Sequence, residues 1–150
     1  MSLRIEEALL SDLSRLFEIE KECFTKEAFT KEQISYLLTD HNNVSLTAKI
    51  NDEIVGFIIG RIYVHEKPVV GHVLTIDVSP EHRRRGIGLK LLKAVENVFR
   101  KRNVAICYLE AREDNVAALN LYRKQGYGRV KKLKNYYGYV HGIRFKKVLT

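Results

Sequence analysis

The stretch DVSPEHRRRGIGLKLLKAVENVFR, residues 77–100, constrains the fold of this chain more than any other. Three consecutive arginines, Arg83, Arg84 and Arg85, run into Gly86-Ile87-Gly88, and a helical pattern follows at once. Leu91, Leu92, Val95, Val98 and Phe99 recur at helical spacing between Gly88 and Arg102. Glycine costs a helix roughly 1 kcal/mol relative to alanine. Two glycines in a first turn need a reason, and the close approach of another group to the backbone is one.

A helix N-terminus presents unpaired N–H groups and a partial positive charge, which makes it an anion site. Glycine removes the Cβ that would hold a phosphate away from those amides, and arginine suits phosphate geometry. The stretch reads as a pyrophosphate cradle between a strand over residues 72–79 and a helix over residues 88–102. It is not a Walker A loop, which needs Gly-Lys-Ser/Thr, and no third glycine completes Gly-x-Gly-x-x-Gly. Two other readings stay open on these residues alone. One is a tight strand-to-helix turn with solvated arginines; the other is a basic helix end resting on nucleic-acid phosphate.

A formal charge of +8 favours an anionic partner without choosing among nucleic acid, an acidic protein and a polyphosphate ligand. No apolar run reaches the about 20 residues that a membrane-spanning helix needs. MSLRIEEALLSDL does not read as a secretory signal. Cys23 and Cys107 stand alone, without CxxC or His/Cys ligand spacing. They are expected to be reduced thiols of a cytoplasmic protein, and no metal site is expected. Residues 1–150 are read as one domain.

The remaining patterns alternate between strand and helix. LRIEEAL is a first strand. Ser11 or Asp12 caps a helix whose apolar positions run from Leu13 to Phe24, with Glu20 as a polar interruption. Thr30-x-x-Gln33 is a capping box opening a second helix to about Leu38. NVSLTAKI and EIVGFIIGRIYV are strands joined by an Asn51-Asp52 hairpin turn. VVGHVLTIDVS leads into the arginine–glycine turn. VAICYLEA is nearly all apolar, as a buried strand would be. NVAALNLYRKQG is a helix closed by Gly126, and YGRVKKL and IRFKKVLT are final strands. The order β-α-α-β-β-β-α-β-α-β-β describes an α/β domain with a mixed sheet.

Arg83-x-x-Gly86-x-Gly88 after TIDVSPEHR resembles the acetyl-CoA signature of the Gcn5-related N-acetyltransferase (GNAT) superfamily. YLEAREDNVAALNLYRKQGYGRVKKLKNYY is similar to the second half of its N-terminal protein acetyltransferases, including archaeal members and ribosomal-protein alanine acetyltransferases. IEKECF followed by FTKEQI resembles their two short substrate-side helices. The resemblance covers nearly the whole chain. It implies the GNAT fold: a mixed, mostly antiparallel central sheet flanked by helices. It also implies acetyl-CoA as cosubstrate, with no metal, and direct attack by an amine on the thioester.

By that resemblance, acetyl-CoA lies against Arg83, Arg84, Arg85, Gly86, Ile87, Gly88, Asn115 and Tyr122. Backbone N–H groups of Ile76, Asp77 and Val78 serve the thioester carbonyl oxygen. Glu110 is the expected general base; burial in an apolar strand is expected to raise its pKa, unless Arg112 or a nearby lysine pairs with it. Tyr122 is the expected proton donor to the leaving thiolate. The acceptor is implied to enter past Phe24, Thr25 and Phe29 on one side and Tyr136, Tyr137 and Tyr139 on the other, with His72 near the reacting amine. Protein or peptide N-termini are the implied acceptors, and a ribosome or an auxiliary subunit is left open as partner. Nucleic acid is expected to bind only non-specifically. An α-amine has a pKa near 7.7–8.0 against about 10.4 for lysine, so it is roughly a hundredfold more often neutral at pH 7. Lysine or small-amine acceptors remain the alternative. Thr25 stands where relatives often carry proline, and Gly142-Ile143-Arg144-Phe145 where they often carry an acidic patch. This end is instead basic, with Lys131, Lys132, Lys134, Arg144, Lys146 and Lys147 nearby, which makes acidic as well as Met- or Ser-type N-termini reasonable acceptors.

Overall fold

A computed structural model describes residues 2–150. Strands β1 (Leu3–Glu7), β2 (Asn43–Ile50), β3 (Glu53–Tyr63), β4 (Val70–Val78), β5 (Ile106–Arg112), β6 (Gly128–Tyr137) and β7 (Val140–Val148) form one sheet. Its order is β1-β2-β3-β4-β5-β7-β6. Helices α1 (Leu13–Cys23) and α2 (Lys31–Thr39) precede β2, while α3 (Ile87–Lys101) and α4 (Val116–Lys124) flank β5. The element order is the one the sequence predicts. Among the described residues, no helix is long and apolar enough to cross a membrane.

Local chemistry explains most boundaries. Asn51 and Asp52 both take positive φ, 51° and 66°, the backbone a tight two-residue hairpin requires. Thr30 and Gln33 form the predicted reciprocal capping box at α2. Gly126, at φ 93°, follows α4. Helix α1 differs from expectation. Asp12 occupies its N-cap position without a side-chain cap bond. The carboxylate instead accepts from Leu9 N–H at 2.9 Å, closing a short 3-10 turn over Leu10–Asp12. Glu20 does not interrupt the packed face of α1 either; it is buried within it.

Two apolar layers sandwich the sheet. Leu91, Leu92, Val95 and Phe99 of α3 pack on one face with Val73, Cys107, Leu109 and Phe145. Leu16 and Ile19 of α1 and Ile34 and Leu37 of α2 pack on the other with Phe57 and Ile59.

The geometry that matters most is in the middle. All strand pairs are antiparallel except β4 with β5. A parallel pair needs a long crossover, here supplied by α3. This parallel pairing spans only Val70–His72 against Ile106–Tyr108. Just beyond it the β3–β4 register skips, from Gly60↔Val73 to Ile59↔Thr75, leaving Leu74 as a bulge. A bulge bends its strand and moves later side chains to the other face. From there β4 and β5 separate, and the backbone edge of β4 lies open.

Candidate functional site

The open edge of β4 can be assigned atom by atom. Ser79 N–H bonds Val55 C=O on β3 at 2.8 Å. Strand alternation points Asp77 N–H the same way and turns Ile76 and Val78 toward the gap. Val78 C=O indeed faces away from β3: it accepts from the Cys23 thiol and from Arg83 Nε, both at 3.3 Å. Of the three amides proposed for an oxyanion, Ile76 and Val78 are therefore aimed at the gap, and Asp77 is not.

The Asp77 side chain has another setting. Thr75 Oγ1 lies 2.6 Å from Asp77 Oδ1 and 3.2 Å from Glu20 Oε1, while Glu20 Oε2 accepts Phe29 N–H at 3.0 Å. A hydroxyl carries one proton, so both contacts are hydrogen bonds together only when one carboxyl keeps its own. Burial and the adjacent Glu20 carboxyl push Asp77 well above the usual carboxylate range. Asp77 is thus the neutral partner, consistent with its Oδ2, buried without a hydrogen-bond partner among the described residues. The pair ties α1 and the residue-29 loop to the floor of the gap.

At the gap's end, the arginine–glycine turn has the predicted form. Gly86 is the N-cap of α3 in the left-handed region, φ 76°, and nothing lies within 4 Å of where its Cβ would be. At Gly88 a Cβ would meet only ordinary contacts, the nearest being Leu121 Cδ2 at 3.5 Å. A tight turn accounts for Gly86 but gives no reason for Gly88. Arg84 and Arg85 are exposed beside these amides. The set fits a pyrophosphate: open backbone donors, no obstructing Cβ, and flanking guanidiniums. Asn115 caps α4, its Oδ1 accepting Ala118 N–H at 3.1 Å.

On the face of β5 opposite α3, Glu110 is the centre. Its side chain is 8% exposed. Oε1 lies 2.6 Å from His72 Nε2, and Oε2 accepts from Arg144 Nε at 3.0 Å. A carboxylate only accepts, so Nε2 carries the proton in the first bond. Burial pushes the Glu110 pKa up, but the bonds and charges of His72 and Arg144 together outweigh it and hold the group below its ordinary value. This corrects the expectation of a raised pKa. The alternative, a pairing with Arg112 or a nearby lysine, is met in kind but by His72 and Arg144. Arg112 instead bonds Glu27 at 2.6 Å and Asp114 at 3.0 Å, with its guanidinium 5.9 Å from the Tyr137 ring centre. That link joins the loop holding Phe24, Thr25 and Phe29 to the β6–β7 end.

Tyr122 is buried, its ring packed on Tyr127 and Phe145. Burial pushes its phenol well up, and among the described residues its hydroxyl has no hydrogen-bond partner. Tyr136 and Tyr137 stand edge to face at 4.9 Å. Tyr139, at 99% exposed, projects from the hairpin tip and lines a separate open hollow with Glu113, Asp114 and His141. A cavity of about 380 Å³ opens at Glu110, lined by His72, Tyr63, Tyr108, Lys131 and Arg144 among others. Sequence reasoning counted Lys131 and Arg144 only as part of a basic end; nothing local in the chain ties them to Glu110. Both cysteines are free.

The Acetyltransferase (GNAT) family model matches residues 13–127. The chain is 33% identical to an N-alpha-acetyltransferase of Sulfurisphaera tokodaii, covering 89% of this chain and 85% of that protein. It is 34% identical to the N-alpha-acetyltransferase RimI of Mycobacterium tuberculosis, covering 85% and 79%. Its fold superposes on Ard1 from Thermoplasma volcanium with TM-score 0.89 at 24% identity, covering 100% and 99% of the two chains. Arabidopsis thaliana NAA60 in complex with acetyl-CoA gives TM-score 0.87 at 21% identity, covering 98% of each. The divided β4–β5 sheet, the glycine turn at its end and the match across residues 13–127 agree, and the chain belongs to the Acetyltransferase (GNAT) family.

Proposed function

We propose that this protein transfers the acetyl group of acetyl-CoA to the N-terminal α-amine of proteins or peptides. The observation that carries the reading is the pairing of Glu110 with His72 across the mouth of the β4–β5 gap, within reach of both the open β4 edge and the cavity. Relatives named as N-alpha-acetyltransferases support the choice of acceptor.

Acetyl-CoA supplies a thioester carbonyl open to attack by an amine. The chain's own groups do the rest. Gly86, Ile87 and Gly88 amides with Arg83, Arg84 and Arg85 hold the pyrophosphate end, and Asn115 borders it. Ile76 and Val78 N–H groups are placed to donate to the carbonyl oxygen as charge builds on it. Glu110, held ionised, has both oxygens engaged, so a proton arriving on it alone would displace a bond. The base is therefore the Glu110–His72 pair, in which Glu110 fixes the imidazole through its Nε2–H. The Tyr122 phenol keeps its proton at neutral pH and is available to protect the departing sulfur as a proton donor. Phe24, Thr25 and Phe29 on one side and Tyr136 and Tyr137 on the other form the acceptor entrance in this reading.

The test is incubation with acetyl-CoA and a peptide library, free or blocked at the α-amine with lysines left open, read by mass spectrometry. Acetyl on α-amines alone is the expected result. Acetyl on lysine side chains alone would overturn the choice of acceptor.

A further inference from the structure

The cavity at Glu110 holds more positive charge than acetyl transfer to a plain peptide requires. Arg144 uses only Nε on Glu110; its two terminal nitrogens have no partner among the described residues. Lys131 sits directly opposite Arg144 in the β6–β7 register and forms no ion pair among the described residues. Several neighbouring cations are paired instead. Lys132 reaches Glu113, Arg112 is held by Glu27 and Asp114, and Lys147 is bound to buried Glu96. Arg144, held on Glu110, and the exposed Lys131 set two cations against the one carboxylate of Glu110 along the wall of a cavity of about 380 Å³, leaving one positive charge uncompensated there. Such a site attracts an anion, and a half-free guanidinium suits the planar fork of a carboxylate.

Distance indicates where that carboxylate comes from. Facing residues of an antiparallel pair have Cβ atoms about 4.5–5.5 Å apart, and extended chain advances about 3.3 Å per residue. An α-amine at the Glu110–His72 pair therefore brings the acceptor's first or second side chain to Arg144 and Lys131.

Resting on the α-amine reading above, we propose that Lys131 and the free end of Arg144 form a carboxylate-binding subsite that selects acceptors with Asp or Glu as first or second residue. A positive cavity also disfavours the ammonium form of the incoming amine, so the same two groups help it arrive neutral.

The experiment compares kcat/KM for peptides that differ only in bearing Glu, Ala or Lys at the second residue, and Asp or Ala at the first. Wild type and Lys131→Glu are assayed together, with Lys131→Gln as a milder change. Lys101→Glu, at the exposed C-terminal end of α3 on the other face of the sheet, is the charge-matched control. Wild type is expected to favour the acidic over the neutral peptide about tenfold or more, chiefly through KM. Lys131→Glu is expected to abolish that preference or turn it toward lysine, Lys131→Gln to reduce it, and Lys101→Glu to leave it. Equal rates on all peptides with wild type, or a preference untouched by both Lys131 variants, would overturn the subsite while leaving α-amine transfer standing. No transfer to any α-amine, with acetyl-CoA still bound by calorimetry, would instead overturn the acceptor reading and the subsite with it.

Discussion

Glu110 is subject to opposing influences. A carboxylate in a short apolar strand is expected to be starved of water and driven toward neutrality. Burial does act that way, but His72 and Arg144 lie against its two oxygens and reverse the outcome. Neither partner is close in sequence; they stand 38 and 34 residues away. The residue was legible from its position, whereas its protonation was not. If Glu110 and His72 act as one base, their losses are not additive. Glu110→Gln and His72→Gln are each expected to lower kcat by about a hundredfold, the lower range for general base catalysis. The double variant is expected to lose little more than the worse single one. Independent, multiplying losses in steady-state assays would show two separate roles. With Glu110 already ionised, the rise of kcat/KM with pH is expected to follow the acceptor amine, near 7.7–8.0, and to persist in Glu110→Gln.

The strand–turn–helix from β4 to α3 was the most readable element, because its signal is local: an apolar run, three arginines, two glycines and a helical stripe. The structure separates the two glycines. Gly86 is required by its backbone, at φ 76°. Gly88 is helical and uncrowded by the protein. Gly86→Ala is expected to cost about 1 kcal/mol of stability through left-handed strain. Gly88→Ala is expected to keep or raise Tm, since alanine favours helix, while raising the KM for acetyl-CoA about tenfold or more by blocking the amides. Thermal melts and acetyl-CoA titrations of both variants check the split; a Gly88→Ala enzyme with unchanged affinity would count against the cradle. The start of α1 was less readable. Asp12 has two uses within three residues, and the sequence does not show that it closes the preceding 3-10 turn rather than capping the helix.

Across the molecule, the cut between β4 and β5 brings a buried acid under the site, and its sign is opposite to that of the other shifted carboxylates. Glu110, Asp40 and Asp114 are held below their ordinary values; their contribution to stability is present above about pH 4 and lost as pH falls through the folded value. Asp77 is held above it, so the folded state binds the extra proton. Its contribution is complete below about pH 4 and is lost as pH rises toward the folded value. Asp77→Asn keeps a donor for Thr75 and removes the titration. It is expected to raise Tm at pH 8 by roughly 2–4 °C and to bring little gain at pH 5. Calorimetric melts at the two pH values decide; an equal shift at both would mean that Asp77 is not the protonated partner.

By itself the sequence determined the element order, the Asn51-Asp52 hairpin, the Thr30–Gln33 capping box and the glycine turn, because periodicity, capping and turn chemistry act over a few residues. It also marked Glu110, Asn115 and Tyr122, and the aromatic residues proposed for the acceptor entrance. Only the tertiary structure decided that Leu74 bulges, that Ile76 and Val78 rather than Asp77 turn their amides to the gap, and that His72, Arg144 and Lys131 gather around Glu110. Those outcomes follow from register between strands far apart in the chain. Register is set by how whole faces of the sheet bury their apolar residues, which no local stretch records.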